Sequence, residues 1–157
     1  MKNLSPIGLD PKLSTALAEK LNTLLSNYQV FYMNVRGFHW NVKGDKFFEL
    51  HLKFEELYNN VVLKIDEIAE RVLTLGYTPV HSYSDYLKTS EIKEVKNVTD
   101  GKEGVAQILK AFQLLITLER ELLTLSGEAN DEGTNALMSD YIREQEKFVW
   151  MYSAYLN

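Results

Sequence analysis

Apolar residues return every three or four positions along most of this chain. Leu13, Leu17, Leu21, Leu24, Tyr28, Phe31 and Val35 keep the step of an amphipathic helix. Asp10-Pro11 opens it, because Asp caps and Pro fits a first turn. Phe38, His39 and Trp40 carry it past Gly37 to about Val42. Gly44-Asp45 then predicts a turn, with Asp45 capping the next helix. That second helix has the clearest stripe: Phe47, Leu50, Phe54, Leu57, Val61, Ile65, Ile68, Val72 and Leu75, ended by Gly76 with Pro79 beyond. Beside it runs a mixed stripe of His51, Glu55, Tyr58, Val62, Asp66, Glu70 and Leu73. A solvated face rarely carries Tyr58, Val62 and Leu73 together, so this face is expected to meet another surface.

Residues 77–100 lose the period, apart from a short helix predicted within 82–90. The segment is too long for a hairpin loop and reads as a crossover. Asp100 and Glu103 have capping-box spacing. Val105, Ile108, Phe112, Leu115, Leu122 and Leu125 then predict a third long helix, ended by Gly127. A fourth begins near Asn130-Asp131 and carries Leu137, Tyr141, Phe148, Tyr152 and Tyr155. The pattern predicts an all-α, ferritin-like four-helix bundle, with a short extra helix in the long crossover between the second and third long helices. One domain covers 1–157, with 1–9 as a short extended tail.

Composition narrows the chemistry. The 157 residues contain no cysteine, so disulfides and thiolate metal sites are excluded and any metal must use imidazole and carboxylate. No apolar run approaches a membrane span, and the N-terminus lacks the apolar core of a signal peptide, which leads us to expect a cytoplasmic protein. Twenty-two acidic against seventeen basic residues give a formal charge of −5, which argues against a large nucleic-acid-binding face.

The candidate ligands are His39, His51, Glu55, Asp66 and Glu70. Singly, each has an ordinary alternative. A histidine near a helix end is usually packed or exposed. Asp66, Glu67 and Glu70 could be solvated charges, with Arg71 paired to one of them, and one of Glu55 and Glu56 is surface. Together they form two clusters. The short turn between the first two helices sets His39 and His51 side by side, with Glu55 one turn on. Asp66 and Glu70 lie at the far end of the same helix. His51 and Asp66 are fifteen residues apart, which is about 22 Å along a helix. Either these residues are unrelated, or a second copy running antiparallel about a two-fold axis completes two identical sites. Two imidazoles with two or three carboxylates suit iron, manganese or zinc. The Glu-x-x-His signature of in-bundle di-iron sites does not occur in the chain. His81, in the crossover, is read as a surface residue.

At His39-Trp40-Asn41, His51 and Lys64-Ile65-Asp66-Glu67-Ile68-Ala69-Glu70-Arg71 the sequence resembles the Dps family, the miniferritins named as DNA-binding proteins from starved cells. The spacing His-x11-His-x14-Asp-x3-Glu matches that family's ferroxidase pattern, and Lys147-Phe148-Val149-Trp150 extends the likeness toward the C-terminus. The resemblance implies His39 and His51 as ligands from one subunit, with Asp66, Glu70 and Glu55 from its partner. It implies a homo-oligomeric, hollow dodecamer built on two-fold dimers and storing ferric mineral. Trp40 and Trp150 correspond to tryptophans near the site, with core packing as the plainer alternative. Asp131 and Glu132 correspond to the pore through which iron passes, with ordinary helix N-terminal charge as theirs. Asn135-Ala136 stands where a further pore carboxylate is expected.

Beside a structural helical bundle with incidental histidines, which leaves the mixed stripe of the second helix unexplained, two functions compete. One is a ferroxidase and iron store that oxidises Fe(II), preferentially with hydrogen peroxide, and so protects DNA and the cell in oxidative stress; zinc or manganese could occupy the same site. The other is a nucleoid-associated DNA-binding protein with little ferroxidase role. DNA binding wants basic tails, but residues 1–12 hold only Lys2 and Lys12, and Ser153-Ala154-Tyr155-Leu156-Asn157 has no basic residue. Twelve copies would carry a formal charge of about −60. Duplex affinity comes mainly from Lys and Arg neutralising phosphates, so no tight complex is expected at near-physiological salt. A gel-shift titration with chelator present checks this, and a stable complex at submicromolar protein would contradict it.

Overall fold

The computed structural model describes residues 3–157. Met1 and Lys2, and with them part of the expected tail, lie outside the described residues. Five helices follow in order: α1 (Pro11–Asn41), α2 (Phe47–Thr74), α3 (Tyr83–Thr89), α4 (Gly101–Glu128) and α5 (Glu132–Leu156). There are no strands among the described residues, only an isolated bridge between Lys43 and Asp100. The four long helices form the expected bundle, and α3 is the short helix of the crossover. No helix of the described residues is long and apolar enough to cross a membrane.

The local signals explain most boundaries. Asp10 caps α1 by accepting from the Lys12 amide at 2.9 Å, with Pro11 in the first turn. Asp100 caps α4 by accepting from the Glu103 amide at 3.0 Å. Gly76 takes a φ of +94°, which lets the Tyr77 amide reach back to the Val72 carbonyl and close α2. Three expectations need correction. Residues 3–9 are not extended: Ser5 and Leu9 close a turn, with the Ser5 amide donating to the Leu9 carbonyl at 2.8 Å. Asp45 does not cap α2; Lys46 holds that position and makes no side-chain cap. Gly127 does not end α4. The helix runs on to Glu128, and Asn130, at φ +55°, makes the left-handed step, so that the Asp131 amide donates to the Ser126 carbonyl. After Gly, Asn is among the few residues that take up that conformation.

Both short connections make antiparallel hairpins, α1 with α2 and α4 with α5. The crossover returns the chain to the pole where α1 ended, since the Lys43 amide donates to the Thr99 carbonyl. α2 and α4 therefore start at the same pole. Phe54, Val61, Ile68 and Val72 of the α2 stripe are fully buried; Ile65 is only partly so, and Lys64 is buried instead. In α5 the inward face runs through Met138, Tyr141, Ile142, Gln145 and Tyr152, one position off the expected Leu137.

The crossover is irregular but tightly held, because three asparagines of α1 serve as its hydrogen-bonding partners. Asn22 accepts from the Val80 amide and donates to the Thr78 carbonyl. Asn27 accepts from the Glu91 and Ile92 amides, each at 3.0 Å, and from the Ser90 hydroxyl. Asn34 accepts from the Val95 amide and donates to the Lys93 carbonyl. Their backbone partners would otherwise be stranded beside an apolar core. Asn27→Ala is expected to cost about 2–3 kcal/mol, since it strands two amides and a hydroxyl. Urea unfolding measures the loss, and amide exchange should accelerate first at Glu91 and Ile92. A loss near zero would contradict the clamp.

Candidate metal centre

His39 lies in the last turn of α1 and His51 in the second turn of α2. Their rings stack with centroids 3.8 Å apart and planes 13° apart. His39 Nδ1 lies 2.6 Å from the His51 carbonyl oxygen, and His51 Nδ1 lies 2.8 Å from the His39 carbonyl oxygen. A carbonyl can only accept, so each Nδ1 carries the proton and donates. In the neutral tautomer that this selects, the lone pair is on Nε2, the form in which histidine ligates a metal. The backbone of each helix thus sets the tautomer of the other helix's histidine. Phe47 stacks on the His51 ring at 5.0 Å, and Tyr58 meets the His39 ring edge-on at 5.3 Å.

Glu55 is half-buried one turn after His51, with the Tyr58 hydroxyl 3.5 Å from its Oε1, at the limit of a hydrogen bond. Asp66 and Glu70 are exposed at the other pole of α2, and among the described residues neither carboxylate makes a hydrogen bond or ion pair. No group of three or more His, Asp or Glu side chains able to hold a metal forms among the described residues. The single chain therefore brings His39, His51 and Glu55 to one pole and leaves Asp66 and Glu70 at the other. Along the outer face of α2 apolar side chains lie open: Val62, Leu63 and Leu73 around the carboxylates, and Leu52 and Phe48 toward the histidine pole, are all exposed. An apolar run of this kind on a helix marks a contact surface.

Arg71, one residue past Glu70, does not pair with its helix neighbours. It reaches across to α5, donating from Nη2 to Asp131 Oδ1 at 2.6 Å and from Nε to the Thr134 hydroxyl at 2.9 Å. A side chain at Gly133 would collide with this guanidinium, the nearest atom being 2.7 Å from a Cβ built there. Asp131 is buried, and its carboxylate also caps α5 by accepting from the Thr134 amide. It is fully engaged within the chain, which leaves Glu132, exposed, as the free carboxylate of the pair expected at a pore. Asn135 ties α5 to the Leu123 carbonyl and the Ser126 hydroxyl of α4.

Neither tryptophan packs in the core: Trp40 is 57% and Trp150 66% exposed. The Arg36 guanidinium lies 4.9 Å from the Trp40 ring centroid and 4.8 Å from that of Tyr58, and donates to the Tyr32 hydroxyl. Arg36 is not among the sequence candidates, although it lies one turn before Trp40 on the face that carries the histidine. His81 is exposed in the crossover, with Nδ1 against the Pro79 carbonyl.

The ferritin-like domain model of the Ferritin family matches residues 18–157. A DNA protection during starvation protein of Porphyromonas gingivalis is 40% identical over 154 residues, covering 98% of this chain and 97% of the relative. This chain belongs to the Dps family. An uncharacterized protein of Haemophilus influenzae is 57% identical over 148 residues, covering 94% and 92% of the two chains. A crystal structure of a Dps protein from Vibrio cholerae O1, described as a member of a broad superfamily of ferritin-like diiron-carboxylate proteins, superposes with a TM-score of 0.97. It is 55% identical, and the match covers 100% of this chain and 98% of that one. For this Dps-family chain the division of its ligand candidates between two poles generates a complementation test. A His39→Ala/His51→Ala variant and an Asp66→Ala/Glu70→Ala variant should each lack metal-binding sites, whereas verified mixed dimers should recover some. No recovery in such heterodimers would count against a shared site.

Proposed function

We propose that two copies of this chain, related by a two-fold axis, share a pair of sites at which Fe(II) is oxidised with hydrogen peroxide as the preferred oxidant. The ferric product is stored as mineral in a hollow dodecamer. The observation that carries this is the reciprocal His39–His51 pair, which engages both Nδ1 atoms and leaves both Nε2 atoms for a ligand at one pole, while Asp66 and Glu70 are exposed at the other. An antiparallel pairing of α2 with its copy sets the poles face to face and covers Leu52, Val62 and Leu63. Each site then offers His39 and His51 from one subunit with Asp66 and Glu70 from the next. Glu55, which the resemblance assigns to the same subunit as Asp66 and Glu70, lies within this chain beside Tyr58 and the histidines, and is read here as joining them.

Iron is the substrate here. Imidazole is a borderline donor that accepts Fe(II), and the hard carboxylates of Asp66, Glu70 and Glu55 favour the ferric state. Two Fe(II) ions held together give one electron each to one peroxide. The O–O bond breaks with both electrons supplied, two protons are taken up, and two waters leave, so no hydroxyl radical is released. The same donors suit zinc or manganese, which should compete as inhibitors. Trp40 and Trp150, exposed on the single chain, become near-site aromatics on assembly, and Glu132 lies at the end of the bundle where a pore can form. Protection of DNA then follows from the removal of Fe(II) and peroxide, and direct nucleoid binding is the weaker reading for a chain of charge −5.

Asp66→Ala or Glu70→Ala should leave the fold intact, since both side chains are exposed, and slow peroxide-dependent Fe(II) oxidation about tenfold or more. The wild-type protein should consume Fe(II) and peroxide in a two-to-one ratio. Unchanged rates in the folded variants would sink the ferroxidase reading.

A further inference from the structure

Far from the histidine pole, each long helix sends one polar side chain into the middle of the bundle: Tyr28 from α1, Lys64 from α2, Glu119 from α4 and Gln145 from α5. All four are buried, and Glu119 has no exposure at all. Metal sites of four-helix bundles are built in this kind of place from facing helices. Lys64 instead points its ammonium at Asn60 Oδ1, 2.7 Å away, and at Glu144, and lies 5.1 Å from the Tyr141 ring centroid. Glu119 has no such ion pair. Its partners are the Tyr28 hydroxyl, 2.6 Å from Oε2, and the Gln145 carboxamide, 2.7 Å from Oε1.

Counting protons decides the state of Glu119. The Gln145 carboxamide fits in two orientations. With its nitrogen toward Glu119, its oxygen faces the Tyr28 hydroxyl. Tyr28 then faces two acceptor oxygens with a single proton to give. With its oxygen toward Glu119, two oxygens meet at 2.7 Å with no hydrogen between them. Either arrangement lacks one proton if the carboxyl is ionised, and either is complete if the carboxyl holds it. In the first, Glu119 donates to Tyr28, Tyr28 to Gln145, and Gln145 back to Glu119, a closed ring in which every contact has one hydrogen.

We propose that Glu119 is a built-in proton site: its carboxyl is held as the neutral acid, and the proton closes a ring with Tyr28 and Gln145 that ties α1, α4 and α5 and links the stability of the bundle to pH. The surroundings agree with the geometry. Burial pushes the Glu119 carboxyl up to about 8, against the hydrogen bonds from Tyr28 and Gln145 and the charges of Lys64 on α2 and Arg120 on α4. Burial and the Glu119 carboxyl drive Tyr28 well above its ordinary range. The other groups near are Tyr141 and Glu144 on α5 and Glu67 on α2; burial and these carboxylates hold Tyr141 far up, as a neutral phenol. Lys64 is matched by Glu144, and Arg120 by Glu146.

The sign follows from linkage. The unfolded carboxyl loses its proton near 4.5, whereas the folded one keeps it to about 8. Between those values the folded state binds the extra proton, so stability falls as pH rises across that window. The contribution is fully present below the lower value and is lost by the upper one.

The test uses the assembled protein of all 157 residues and does not depend on iron. In infrared spectra at neutral pH, the wild type should show the carbonyl stretch of a protonated carboxylic acid, downshifted in heavy water, and Glu119→Gln should lack it. The band should bleach as pH is raised past about 8. Urea midpoints should show the wild type losing ground to Glu119→Gln as pH rises from about 5 to about 8. If the variant does not assemble, the wild-type pH-difference spectrum alone decides, because an exposed carboxyl has already ionised at neutral pH. Superimposable wild-type and variant spectra, or a wild type with no acid band at neutral pH, would overturn the proposal, as would equal pH dependence of the two urea midpoints.

Discussion

A helix of twenty-eight residues is a rod, and α2 is such a rod. Its hydrogen-bonded backbone holds His51 and Asp66 about 22 Å apart, and no side-chain rotamer closes that gap. The fold fixes the rod further. Phe54, Val61, Ile68 and Val72 bury one face against the bundle, and Arg71 fastens the far end to Asp131 and Thr134 of α5. The opposite face is left with exposed leucines and valine interleaved with the unpaired carboxylates. A surface of that composition gains free energy from a partner and has the polar groups to fix its register. Rigidity, rather than any single ligand, is why the proposed site needs a second copy.

The histidine pole shows how little is left to adjust. Carbonyl groups in the last turn of α1 would ordinarily turn to solvent. Here the His39 carbonyl is taken by His51, and the His51 carbonyl is taken by His39. The exchange satisfies a helix end, stacks two rings and selects one tautomer on each. Phe47 and Tyr58 wall the stack on two sides, so the imidazoles of the proposed site are oriented in advance, and less ordering would remain for a binding step. The same five-residue connection that makes the hairpin antiparallel makes this pairing possible.

The parts of this fold legible in the sequence are those that rest on periodicity and on short-range chemistry. The stripes of α2 and α4 gave their faces, Asp10 and Asp100 their caps, and Gly76 its stop, because each acts within a turn or two. Where two residues compete for a local role the reading failed. Gly127 looked like a terminator, but Asn130 took the left-handed step three residues on, and Asp45 lost the α2 cap to Lys46. The histidine pairing was legible from the short turn, while the reciprocal hydrogen bonds were not, since they require atomic positions. Asp131 could be read as pore or helix charge. Its burial against Arg71 is a contact between residues sixty positions apart, and nothing local announces it.

Polar residues on apolar stripes carried the signal that went unread. Glu119 falls between Leu115 and Leu122, and Asn27 beside Tyr28 and Phe31, at positions where the helical period demands an apolar side chain. Lys64 likewise falls between Val61 and Ile68. A polar group at such a place must find a partner or shed its charge, because the desolvation cost leaves no third course. Asn27 finds the crossover, Lys64 finds Glu144 and Asn60, and Glu119 finds only neutral groups. Charge inside this bundle is thus met by an ion pair, Lys64 with Glu144 and Asp131 with Arg71, while Glu119, which has none, is held neutral. Unpaired carboxylates are carried on the outer face of α2 instead, where water solvates them in the single chain. That separation is why, in the proposed assembly, a bundle with a buried polar centre carries its metal ligands at a surface between subunits.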